Sequence, residues 1–153
     1  MNGARLRLAV LLTICGILTA VAASLYLGMT FALLTEGPAA LLDGLRLGIW
    51  VVWFGLVVAT LPAILFGGLL WLRGVRRALL WAAMGVLGAV VCLGVALIGP
   101  GDIGHITSLV LARYPLIFSL AFAVSGALSA LTFLALMRLS TRIIRGRSSI
   151  RPA

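Results

Sequence analysis

The stretch Leu72-Arg73-Gly74-Val75-Arg76-Arg77-Ala78-Leu79 is the one strongly charged interruption in the middle of an otherwise oily chain. A long apolar segment ends at Leu72 and another begins at Ala78, so three guanidinium groups stand between two stretches that only lipid can satisfy. That pattern predicts an elbow between two membrane spans, and its Arg content predicts the cytoplasmic side.

Composition extends the reading to the whole chain. Of the 153 residues 63% are hydrophobic and 10% charged, and the mean hydropathy is +1.27. A soluble domain of that length cannot bury so much apolar surface. The net charge of +9 comes from twelve basic residues, all Arg, against three acids. In a soluble domain that balance would suggest nucleic acid. Here the Arg lie between and beside apolar runs, the distribution of loops that orient helices and meet anionic lipid, so the partners expected are the bilayer and not nucleic acid. Abundant Arg, Ala, Gly and Leu with no Lys point to a bacterial protein of the cytoplasmic (inner) membrane.

The runs predict four spans, at about 8–34, 47–72, 78–98 and 116–136, with a basic tail over 138–153, all in one membrane domain. The first run, some 27 residues at about 1.5 Å each, is longer than the hydrocarbon layer of about 30 Å, so it reads as a tilted helix. A signal peptide cleaved near Ala20-Val21-Ala22 is the competing reading, but the apolar run continues well past that point. Thr35-Glu36-Gly37-Pro38 ends the run, and Ala39 to Arg46 reads as a short amphipathic turn at the surface. Trp50, Trp53, Trp71 and Trp81 fall where indoles mark the two membrane interfaces. Counting Arg on each side gives an all-α, four-helix bundle with short loops and both termini cytoplasmic.

Small residues predict where helices meet. Gly16, Ala20, Ser24 and Gly28 recur every fourth residue and share one face; Gly88 on the third span and Ser125 and Ser129 on the fourth form similar faces. Pro62 removes one backbone hydrogen bond, frees the Val58 carbonyl and predicts a kink. Cys15 and Cys92 sit at different depths and are expected as free thiols. Arg73, Arg76, Arg77, Arg138, Arg142, Arg145 and Arg147 are placed to touch anionic lipid. The two halves share a weak pattern of span, Gly-Pro, acid and Arg, which admits a parallel duplication.

Chemistry is sparse. Asp102 and His105 stand three residues apart and, with Glu36 and Asp43 from the other outer loop, are the weak candidates for a metal site; the competing reading makes Asp102 a helix cap. No catalytic set, phosphate loop or cofactor motif is present, no ionisable residue falls mid-span, and no cofactor is expected. The sequence therefore favours a scaffold or accessory subunit of a membrane complex, working in a homo-oligomer or a larger assembly. A small oligomeric transporter or pore ranks second, and an outer-face enzyme or metal-binding protein third.

Overall fold

The structure, a computed structural model, describes the backbone of residues 3–98 and 102–148 and the side chains of 6–98 and 104–142. Gly99-Pro100-Gly101 and Arg151 lie outside the described residues, as do the side chains of Asp102, Arg145 and Arg147. Every element is helical: α1 (Gly3–Glu36), a 3-10 turn (Pro38–Ala40), α2 (Leu41–Trp50), α3 (Val52–Leu72), α4 (Ala78–Ile98), α5 (Asp102–Arg113) and α6 (Pro115–Ser148). Four segments are long and apolar enough to cross a membrane: Leu6–Glu36, Val52–Leu72, Ala78–Ile98 and Pro115–Arg142.

The punctuation follows from backbone chemistry. Gly37 ends α1 with φ 85°, a left-handed conformation that a side chain disfavours, and Pro38 then opens the 3-10 turn. At the elbow Gly74 has φ 66°. Its N–H bonds the Trp71 carbonyl at 3.0 Å while the N–H of Val75 bonds that of Leu70 at 3.1 Å. This paired closure is a Schellman motif, and Val75 and Leu70 both pack on the same apolar cluster, as that motif favours. Two side chains then staple the elbow to the rest. The Trp81 indole N–H donates to the Val75 carbonyl at 2.9 Å, and Arg138 donates to the Arg76 carbonyl at 3.1 Å.

Two expectations change. The run read as one span over 47–72 is broken at Val51, which has φ −88° and ψ 2°, so the long helix starts at Val52. The cause is tertiary. Gly44 and Gly48 of α2 lie against Gly28 of α1 so closely that a methyl on Gly44 would stand 2.7 Å from the Gly28 carbonyl oxygen. This contact holds α2 on α1, and α3 meets the same helix further along, at Ser24 and Gly16. Trp81, read as an interface ring, is instead 0% exposed and stacked on Phe133 at 5.9 Å between ring centroids. Its N–H is satisfied by the elbow, which removes the reason for an indole to seek the headgroups.

Of the four long helices, α1 packs on α3 and α6, and α4 packs on α3 and α6, while α1 and α4 do not touch. Neighbours thus run α1, α3, α4, α6 and back to α1, with α3 and α6 also meeting across the ring where Phe133 lies over Gly67. The elbow end is closed by Cys15, Trp81, Phe133, Leu134 and Met137, all buried.

Candidate functional site

Inside this ring of helices lies a cavity of about 120 Å³, with walls from α1, α3, α4 and α6. It exists because bulk is unevenly distributed along the helices. Towards the elbow Trp81 and Phe133 fill the middle; beyond them the facing residues include Ala59, Ala63 and Gly88, which leave space. Thr19, Ser24, Ser125 and Ser129 are the buried polar side chains among the described residues, 3%, 4%, 5% and 7% exposed. All four line this cavity. Ser24 donates to the Ala20 carbonyl at 3.2 Å, Ser125 to that of Phe122 at 2.9 Å and Ser129 to that of Ser125 at 2.5 Å. Thr19 Oγ1 is buried with no hydrogen-bond partner among the described residues.

The small-residue face of α1 is divided between neighbours. Gly16 lies against Ile64 of α3, Ser24 against Gly55, and Gly28 against Gly44 and Gly48. Ala20 is 0% exposed. Gly88 differs: the only atom near its missing Cβ is Phe66 Cδ2 at 3.7 Å, so its smallness opens the cavity and does not bring backbones together. The close crossing of α4 runs through Gly85, where an added methyl would overlap the Gly126 carbonyl oxygen and stand 2.7 Å from the Ala130 methyl. Ser125 and Ser129 bond within their own helix. The bridge from α1 to α6 is made by Tyr26 and Thr132, with hydroxyls 3.0 Å apart. Thr132 already donates to the Leu128 carbonyl, so Tyr26 is the donor.

Helix α3 continues through Pro62. The Val58 carbonyl that this proline leaves without a backbone donor accepts the Cys92 thiol at 3.7 Å, a link between α3 and α4. Cys15 and Cys92 are both free thiols.

The weak metal candidates are placed on two separate arms. Glu36 and Asp43 flank one shallow hollow with Phe31, Thr35 and Leu47, and Asp43 pairs with Arg46 at 3.1 Å, both side chains 69% exposed. His105 is exposed on α5, which packs on α4 and α6, whereas α2 packs on α1 and α3; no residues of α2 and α5 come within contact range. Among the described residues no three His, Cys, Asp or Glu side chains stand together in a group able to hold a metal. Arg113 lies over the Tyr114 ring at 5.5 Å. At the elbow end Arg73, Arg76, Arg77, Arg138 and Arg142 are exposed, and the bond from Arg138 to the Arg76 carbonyl joins the elbow to α6.

Thr19 was not singled out by its sequence context, since a threonine beside a small-residue face looks like packing. Its neighbourhood is chemically defined as an apolar chamber among four lipid-compatible helices, with four hydroxyls and the Cys92 thiol among its polar groups. No protein-family model, curated protein or solved structure matches the chain.

Proposed function

We propose that this chain is an integral membrane protein that acts by helix association, as a scaffold or accessory subunit of a membrane complex. The supporting observation is how unevenly its helices are covered. In their most apolar windows α6 and α1 have 39% and 28% of residues buried, whereas α4 and α3 have 17% and 11%. Trp53, Val57, Leu61 and Leu65 form one ridge along α3 at spacings of four residues, every member more than half exposed, and Trp50 at the end of α2 is exposed as well. Lipid covers such a ridge without specificity; a second helix covers it by fitting side chains into its grooves.

In the same reading the four apolar helices form a four-helix bundle in the bacterial cytoplasmic membrane, with both termini inside. Ten of the twelve Arg belong to the elbow and the terminal segments, leaving Arg46 and Arg113 for the other face. The basic face then rests on anionic lipid.

The decisive measurement is extraction from native membranes in mild detergent followed by mass determination of the intact complex. A stoichiometric companion or a defined homo-oligomer is expected, and Val57→Trp with Leu61→Trp should dissociate it. A lone monomer sinks the reading. A reporter fused after Ala153 that is active only outside the cytoplasm overturns the orientation.

A further inference from the structure

The four buried hydroxyls do not behave alike. The buried hydroxyl of Thr60, which does not line the cavity, also lacks a partner among the described residues, but Thr13, Thr35, Thr132 and Thr141 bond back to the carbonyl four residues earlier. Thr19 is as buried as any polar side chain described, faces the cavity, and does not. A buried donor without an acceptor costs free energy that an acceptor inside the chamber would recover.

We propose that the cavity binds a lipid-soluble carbonyl compound, with a head about the size of one six-membered ring and an apolar tail. Its oxygen accepts the Thr19 proton, and its tail leaves between α3 and α4. Volume sets the head: the cavity is about 120 Å³, and a dry apolar cavity of about 150 Å³ takes up benzene. Phe66 and Met84 in the wall are only half-buried and can give by the small difference. The exit follows from packing, because the seam between α3 and α4 is the sparsest of the four around the ring. Depth selects the class. Thr19 lies about 20 Å from Leu6 and about 25 Å from Glu36 along α1 at about 1.5 Å per residue, near the middle of that apolar segment. Glycerolipid ester carbonyls stay at the rim of a hydrocarbon layer about 30 Å thick, so a carbonyl dissolved in the layer itself, of the quinone kind, reaches Thr19 and an ester does not.

Trp81 supplies the readout, since it lines the cavity and is 0% exposed. In a variant carrying Trp50→Phe, Trp53→Phe and Trp71→Phe it is the sole indole. A benzoquinone with a ten-carbon tail, which quenches indole only near contact, is titrated into this detergent-purified protein. Saturable quenching is expected. Thr19→Val should weaken it about tenfold, the worth of one buried hydrogen bond. Gly88→Leu should abolish it by filling the chamber, whereas Gly94→Leu, the same change where nothing lies within 4 Å, should leave it unchanged. If Gly88→Leu does not fold, the near-isosteric Thr19→Val decides. Linear quenching, or saturable quenching that Thr19→Val leaves intact, overturns the assignment. A second arm uses phosphatidylcholine brominated along its chains: quenching of Trp81 by this lipid that the quinone fails to displace gives the chamber to an acyl chain and also overturns it. The isolated protein suffices for every arm, so the outcome is independent of whether a partner covers α3 and α4.

Discussion

Helix α4 meets α6 and α3 with two faces that begin three residues apart. On the α6 side Gly85 brings backbone against backbone at Gly126, with Ala89 and Trp81 buried on either side. On the α3 side Gly88 meets only the edge of the Phe66 ring, and the next contact is a single thiol hydrogen bond from Cys92 to Val58. The same residue type therefore makes a close seam and an open one. What differs is the partner. Gly126 also lacks a side chain, so the helices close until the carbonyl oxygen of each glycine takes the place of the other's missing Cβ; opposite Gly88 the α3 backbone stays further off and space remains. A glycine permits approach, and its neighbour decides whether approach happens.

The sharpest way to break this contrast is to add the same side chain on both faces. Gly85→Leu would drive a side chain into the α6 backbone, which cannot yield as a rotamer would. We expect a loss of roughly 4 kcal/mol, above the usual overpacking cost, or failure to assemble. Gly88→Leu should change stability by less than about 1 kcal/mol because the space is already there. Thermal unfolding in detergent measures both, and equal losses would mean that the two seams are alike.

Next in size is the plug that separates the tight elbow end from the open chamber. Phe133 is 1% exposed, stacks on Trp81 and fills the notch above Gly67, 2.7 Å from where a Cβ would be. Phe133→Ala should cost about 3 kcal/mol, at the low end for such truncations because lipid supplies no hydrophobic drive to bury the ring. It should also enlarge the chamber, so Trp81 emission should shift towards that of a less enclosed indole. A loss below about 1 kcal/mol would mean the elbow end is not close-packed.

The seam between α1 and α6 carries a smaller test. Tyr26 donates across it to Thr132, and bonds of this kind in membrane bundles average about 0.6 kcal/mol. Tyr26→Phe keeps the ring and removes the proton, so about that loss is expected by reversible unfolding. A cost of several kcal/mol would show that the seam depends on this bond and not on packing.

These contrasts also mark what the sequence could reveal. The four apolar helices were legible because uninterrupted runs of the right length have few alternatives, and the elbow was legible because Arg cannot sit in lipid. The break at Val51 was not. Leu47 to Leu72 has no charged residue, and valine stops no helix; what accompanies the turn is Gly44 and Gly48 seating on Gly28, a contact between consecutive helices that nothing local to Val51 marks. Trp81 misled for a related reason. An indole seeks the interface for its N–H, and nothing in the sequence announces that the Val75 carbonyl, turned inward by the Gly74 closure, already accepts it. Thr19 was invisible as a cavity residue because Thr13, six residues before it in the same helix, satisfies itself locally.

The smallest effect tests the loose seam most directly. Cys92 donates its thiol proton to Val58 at 3.7 Å, and that carbonyl is available because Pro62, four residues on, has no N–H to offer it. A thiol is a weak donor, so Cys92→Ala should cost only about 0.5 kcal/mol. The size alone would distinguish little, but the coupling does. In a Pro62→Ala background the new backbone N–H of residue 62 takes the Val58 carbonyl, and the thiol loses its partner before it is mutated. Cys92→Ala should then cost nothing further, and the two substitutions should be non-additive by about the full value of the thiol bond. Additive losses would mean that Cys92 contributes only volume. In that case the proline and the cysteine are independent, and α3 and α4 are held together by shape alone.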